Sequence, residues 1–329
     1  MTKSEVLRTT IQGLIARHCA AIALALFGAA ASAQPAIGLL QFESAPDTPA
    51  VKVFLQLLGE QGFAEGRNLR VERRYADGRK ERFAPLIHDL AQKRVNAIVA
   101  FGHDMAKVAK EVEPAMPVIA FGSEDPVRSG LVATLSRPGG KVTGVTFMTG
   151  EVAEKRLELL KATIPGLARV AVVWEPEHVD TYWENMEKAA GGMGVSLSLI
   201  RLYSAADLDG LAESVRRTGA QAVFIVPSRI TQANAARLAQ QFLAARLPTM
   251  AAYHTFVEAG GLISYGADIP ELFGRMAVQT RRVLTGTSPG DLPVELPNRL
   301  LLVVNRTSAK SLGINLPQSI LLRADRVID

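Results

Sequence analysis

The sequence predicts an α/β fold of two similar lobes, each a parallel sheet flanked by helices, with a ligand cleft between them; three observations carry that prediction. Apolar runs of strand length alternate with amphipathic stretches of helix length along nearly the whole chain. The rhythm ends at Ile164 and restarts at Arg169, which divides the strands into two sets. No Ser/Pro/Gly-rich linker parts the sets, so the lobes are joined by short crossing segments. Alternation argues for parallel strands because parallel neighbours need a crossover, usually a helix.

Residues 1–33 read as a signal peptide. Lys3, Arg8 and Arg17 make a basic start, Cys19 to Ala30 form an apolar core too short to span a bilayer, and Ala31-Ser32-Ala33 supplies a small-residue cleavage site before Gln34. There is no twin arginine, so the expected route is Sec export to the periplasm. Cys19 opens the apolar run instead of following it, which argues against a lipid anchor. It is the only cysteine of the chain, so the mature protein has no thiol and its stability comes from burial. No later stretch approaches a membrane-spanning length of continuous apolar residues, so no direct membrane insertion is expected after cleavage.

In the mature chain the predicted strands run Ala36 to Leu40, Leu69 to Tyr75, Ala97 to Phe101, Pro117 to Phe121 and Val142 to Phe147. Helical patterns lie between them at Thr48 to Gln61, Glu81 to Lys93 and Met105 to Val112, with Glu151 to Ile164 following. The second set has strands at Arg169 to Trp174, Ser196 to Leu202, Ala222 to Val226, Pro248 to Ala251 and Gly261 to Ser264. Its helices are expected at Thr181 to Ala190, Ala206 to Arg217, Thr231 to Ala245 and Glu271 to Thr285. Crossings between the lobes are expected near Thr146 to Glu151, Ser264 to Ile269 and Leu292 to Leu300, where Pro289, Pro293 and Pro297 break any helix. The N-terminal lobe is then 34–148 with about 268–299, and the C-terminal lobe 149–267 with about 300–329.

Several function classes are disfavoured. The leader carries three basic residues and one acid (Glu5), so the formal charge falls from +5 to +3 on cleavage, and the basic residues are dispersed; no nucleic-acid partner is expected. The chain has no Gly-x-Ser-x-Gly elbow, no Walker loop, no His-Glu-x-x-His and no mature nucleophilic cysteine, so it is not expected to be an enzyme. Gly192-Met193-Gly194 lacks the third glycine of a dinucleotide loop and follows a helix, so it reads as a helix stop. No cofactor and no metal are expected. The histidines are scattered, although His103 and His254 stand at strand ends in opposite halves and could meet across a closed cleft.

Ligands of open parallel sheets collect beyond the carboxyl ends of the strands. The residues found there are the candidate ligand-binding set: Phe42 after the first strand, Gly102 and His103 after the third, and Ser123 and Asp125 after the fourth. From the second half come Glu175, Ser228, Tyr253, His254 and Tyr265. Gly102, ahead of a helix, would let an anion approach the positive end of the helix dipole. Asp125 and Glu175 would hold an ammonium, and Phe42, Tyr253 and Tyr265 would face an apolar part. Together they describe an amino-acid-like zwitterion, with Asp125→Ala expected to weaken its binding. A capping role for Asp125 beside Pro126, and for Asp104 on the helix it precedes, is the competing reading.

Several segments carry a resemblance: Gly62-Phe63-Ala64-Glu65-Gly66-Arg67-Asn68-Leu69, Ala76-Asp77-Gly78-Arg79, Asp125-Pro126-Val127 and Leu135 to Val145 with its Arg137-Pro138-Gly139-Gly140 turn. Lys155 to Leu160, Phe256 to Gly266, and the tail from Leu312-Gly313-Ile314-Asn315-Leu316-Pro317 to Asp325 continue it. In these the chain resembles, nearly end to end, the ABC transporter substrate-binding protein family whose better-known members bind tryptophan or tyrosine. The resemblance implies a type I periplasmic-binding-protein fold, a small-molecule ligand, closure of the lobes around it, and a membrane permease of an ABC-type importer as partner. A periplasmic sensor presenting its ligand to a receptor kinase or chemoreceptor is the alternative. The chain departs from the family pattern at His103, where a small hydroxyl residue is expected, and at Glu175, which replaces the Asn of an Asn-Pro pair.

Overall fold

The computed structural model describes residues 34–147, 149–176 and 182–329. The leader with Cys19, Met148, and residues 177–181 with His178 lie outside the described residues. Five strands form the first sheet: β1 (Ala36–Gln41), β2 (Arg70–Tyr75), β3 (Ala97–Ala100), β4 (Val118–Gly122) and β5 (Val142–Thr146), in the order β2-β1-β3-β4-β5. All four pairings are parallel. The second sheet contains β6 (Arg169–Trp174), β7 (Ser196–Arg201), β8 (Ala222–Ile225), β9 (Thr249–Ala251), β10 (Ile263–Ala267), β11 (Leu300–Asn305) and β12 (Arg326–Ile328). Their order is β12-β11-β10-β9-β8-β6-β7.

Helices fill the crossovers: α1 (Pro49–Glu60), α2 (Phe83–Gln92), α3 (His103–Val112), α4 (Ala153–Thr163), α5 (Tyr182–Met193), α6 (Leu211–Arg217), α7 (Arg229–Ala233), α8 (Ala235–Ala244), α9 (His254–Glu258) and α10 (Ile269–Leu284). Two short ones, α11 (Arg306–Leu312) and α12 (Gln318–Leu321), lie in the tail. Local chemistry explains their limits. The Thr48 hydroxyl accepts from the Val51 N–H at 3.4 Å and Pro49 opens α1. Gly210, at φ 70, separates α6 from the 3-10 turn before it, and Asn234 separates α7 from α8, so each of two expected long helices is two shorter pieces.

Pleating sorts the apolar side chains into four clusters, one on each face of each sheet. Ile37, Leu39 and Val99 enter one core of the first sheet while Leu40, Ile98 and Ala100 enter the other. Val170 and Val172 likewise oppose Ala171 and Val173 in the second sheet. Burial on both faces is why these strands read as continuous apolar runs.

The tail differs from the five-strand expectation. β11 pairs antiparallel with β10, Ser264 opposite Val303, and β12 adds outside it. The run Leu300 to Val304 directly follows the prolines that mark a crossing, and its partner lies far away in sequence, so its local pattern carries no sign of the pairing.

The chain passes between the sheets in three places. After β5 it enters α4 through a 3-10 turn, Thr149–Val152. After β10 it enters α10, whose Leu272, Phe273, Met276 and Val283 pack into the first sheet's core beside α1. The segment after α10 then runs along β5, where the Thr143 hydroxyl donates to the Leu292 carbonyl at 2.8 Å, before reaching β11.

Candidate functional site

The carboxyl ends of β3, β4 and β5 face those of β6, β8 and β9 across a cavity of about 100 Å³. Gly102, His103 and Ser123 line it from the first lobe, and Glu175, Ser228 and Tyr253 from the second, so six of the ten expected residues meet there. An aromatic wall that the sequence reading missed completes it. Phe101, Phe121 and Phe147 line the cavity with Tyr253. Their ring centroids follow one another at 6.2 Å, 5.3 Å and 5.8 Å, the last contact edge to face. Each phenylalanine ends a predicted strand, so an aromatic at the carboxyl end of a strand was the available signal. Burial raises the Tyr253 hydroxyl well above the ordinary tyrosine range against the opposing charge of Arg156, so this phenol stays neutral.

His103 packs closely against the chain at Gly122. A β-carbon at Gly122 would stand 2.7 Å from the imidazole ring, so glycine is required there. The Ser228 hydroxyl accepts from the Thr231 N–H at 3.2 Å, and the Thr231 hydroxyl accepts from the Ser228 N–H at 2.9 Å. Ser228 therefore caps α7 while it lines the cavity.

Four expected residues lie off the cavity wall, each for a local reason. The Asp125 Oδ1 accepts from the N–H groups of Val127 at 2.9 Å and Arg128 at 3.1 Å, which closes the turn that follows it, and Asp125 is not among the residues that line the cavity. Tyr265 sits within β10, gives its backbone carbonyl to the Arg156 Nε at 2.6 Å, and packs its ring on the second lobe's core. His254 opens α9 and is not among the residues that line the cavity, whereas His103 is. Among the described residues no group of three or more His, Cys, Asp or Glu is placed to hold a metal. The Phe42 ring stands beside the cavity under the Arg229 guanidinium, 4.9 Å from it.

Arg229 crosses the cleft. From the first position of α7 it reaches Asp104 on α3 with both arms of its fork, Nη1 donating to Oδ2 at 2.7 Å and Nη2 donating to Oδ1. The same Oδ1 accepts from the Met105 N–H at 2.7 Å, so Asp104 also satisfies one N–H of the first turn of its own helix. A β-carbon on Gly102 would collide with the Arg229 guanidinium and stand 2.7 Å from Asp104 Oδ1. The position where a ligand anion was expected is thus filled by the chain's own carboxylate and its partner. Burial alone would raise the Asp104 carboxyl, but the hydrogen bond and charge of Arg229, the Met105 N–H and the charge of Lys80 hold it below the ordinary aspartate range. Burial acts to lower Arg229, and Asp104, Glu43 and Glu175 outweigh it.

A family model described as ABC transporter substrate binding protein matches residues 37–328. A tyrosine-binding protein of Clostridioides difficile (strain R20291) is 24% identical over 295 residues, spanning 85% of this chain and 81% of that protein. A conserved domain protein from Vibrio cholerae superposes with a TM-score of 0.81 at 22% identity, covering 89% of this chain and 99% of the other. An ABC domain from Streptococcus pneumonia in complex with L-Trp superposes with a TM-score of 0.79 at 23% identity, over 90% and 100% of the two chains.

Proposed function

We infer that this chain, which belongs to the ABC transporter substrate-binding protein family and has the type I periplasmic-binding-protein fold, captures a small molecule between its lobes for an ABC-type importer. The supporting observation is the cavity itself, to which both lobes contribute polar groups around one aromatic wall of Phe101, Phe121, Phe147 and Tyr253. Such a wall suits an apolar or aromatic side chain, and Glu175 supplies a carboxylate for an ammonium. The cargo that fits this pair is an amino-acid-like molecule with an aromatic or apolar part. The tyrosine-binding relative and the L-Trp complex favour the same class. His103 and Glu175 are the cavity residues at which the chain departs from the family pattern, so they are where selection among such molecules is expected to be set.

Capture proceeds by closure. The lobes are taken as 34–148 with about 268–299, and 149–267 with about 300–329; they hinge at the crossing segments, and cargo touching both shifts the population toward the closed form that a membrane permease recognises. Export through the Sec route, cleavage before Gln34 and a periplasmic location complete the reading. No helix among the described residues is long and apolar enough to cross a membrane.

The test is a thermal-shift and calorimetry screen of the protein from Gln34 onward against amino acids, purines and sugars. A cargo at a hundred times its dissociation constant adds about 2.7 kcal/mol of stability. A shift with L-tryptophan or L-tyrosine is the expected result, and closure should also change the fluorescence of Trp174, which adjoins Glu175. A shift confined to a sugar or purine would overturn the amino-acid assignment, and no shift with any solute would overturn capture.

A further inference from the structure

We propose that Tyr253 is a specificity-determining residue of the cavity, its hydroxyl donating a hydrogen bond to an oxygen acceptor carried on the aromatic part of the cargo. The proposal rests on the capture reading and deepens it. Phe101, Phe121 and Phe147 select an apolar ring by surface alone, and Tyr253 adds to their wall its one polar atom.

The fold fixes this side chain closely. Tyr253 stands where β9 gives way to α9, and its carbonyl accepts from the Phe256 N–H at 3.1 Å. Its ring meets Phe147 edge to face at 5.8 Å. Behind it lies Arg156, 1% exposed, whose charge reaches the Tyr253 hydroxyl. Arg156 is itself immobilised, Nε donating to the Tyr265 carbonyl at 2.6 Å and Nη1 to the Tyr182 hydroxyl at 2.8 Å. Gly266 lets β10 come this near: a β-carbon there would collide with the Ala252 carbonyl oxygen and stand 3.2 Å from Arg156 Nη2.

Tyr182 and Tyr253 are both buried, but their hydroxyls have different surroundings. Tyr182, 1% exposed, is paired with Arg156. Tyr253, 9% exposed, lines the cavity, and nothing among the described residues hydrogen-bonds to its hydroxyl. Buried polar groups are nearly always hydrogen-bonded, so a hydroxyl nine-tenths buried on a cavity wall is a group for the cargo to satisfy. Burial keeps the proton on this phenol. The Arg156 charge attracts the phenol oxygen and repels its proton, which makes the hydroxyl a donor to the cargo. A bare hydrocarbon ring against Tyr253 leaves that donor without a partner, whereas a ring bearing a hydroxyl oxygen supplies one.

The test is isothermal titration calorimetry of wild type, Tyr253→Phe and Tyr265→Phe, each from Gln34 onward, with L-tyrosine, L-phenylalanine and 4-fluoro-L-phenylalanine. Wild type is expected to bind L-tyrosine about tenfold more tightly than L-phenylalanine. The fluorinated ring adds bulk at the same position but accepts hydrogen bonds poorly, so it should follow L-phenylalanine. Tyr253→Phe should lose the preference by weakening L-tyrosine while sparing L-phenylalanine. Tyr265→Phe removes a phenol that lies off the cavity wall and should keep the preference. Equal binding of L-tyrosine and L-phenylalanine by wild type overturns the inference and leaves the amino-acid reading standing. A fluorinated cargo that matches L-tyrosine overturns it too, as does a preference that survives Tyr253→Phe. A purine or sugar that binds where neither L-tyrosine nor L-phenylalanine does overturns it while capture stands. Far-UV circular dichroism checks that each variant is folded, and the comparison of the three cargoes on wild type decides the matter even where a variant is not.

Discussion

At the scale of single residues, a polar side chain at a strand end has two competing uses, and hydrogen-bond partners separate them. Asp125 and Glu175 both follow strands, yet Asp125 is spent on two backbone N–H groups of its own loop while Glu175 faces the cavity. Asp125→Ala is therefore expected to lower stability by about 1 kcal/mol, as loss of a side-chain-to-backbone hydrogen bond does, and to leave cargo affinity unchanged. Chemical denaturation beside calorimetry checks both halves. Arg229 was visible in the sequence as one of three residues after a strand, but nothing in its neighbours tells that its partner is Asp104, more than a hundred positions earlier.

At the scale of elements, the alternation of strand and helix was legible because each is locally periodic, and failures gather where an element takes its meaning from a distant one. β11 is such an element, and so is the first turn of α4. There Arg156, only 1% exposed, donates through Nε to the Tyr265 carbonyl on β10 and through Nη1 at 2.8 Å to the Tyr182 hydroxyl on α5. It ties the helix that follows one crossing to the strand that precedes another, beneath the cavity residue Tyr253 whose hydroxyl its charge reaches. Arg156→Ala would leave two buried acceptors without this donor and a void in place of its stem. The expected loss is about 3 kcal/mol, read as a lower denaturant midpoint with an unchanged slope.

At the scale of the whole molecule, stability should depend on acid through the carboxylates held below their usual range. Burial acts to raise both Asp104 and Asp47, and it is outweighed at Asp104 by Arg229 and at Asp47 by Arg73, Gln41 and Tyr75. A carboxyl with a lowered folded pKa contributes stability that is fully present above the ordinary value of 3.8 and is lost as pH falls through the lowered one. Melting temperature is therefore expected to hold down to about pH 5 and then to fall, less steeply in Asp104→Asn than in wild type. Equal slopes would remove Asp104 from the acid response.

The sequence by itself determined the α/β class, the two sets of strands, the family and the strand-end loops among which the site is found. Each of these rests on local order: the period of apolar residues, the position of turn residues, and short segments that match a family pattern. Only the tertiary structure decided which of those loop residues meet. His103 and Tyr253 share a wall while His254, the next residue, opens a helix, because a step of one position along the chain changes the direction a side chain points. It also decided that the seat before α3 is filled, since that depends on the reach of an arginine from the other lobe. Pairing across a cleft is a property of two surfaces brought together by folding, and no periodicity within either segment encodes it.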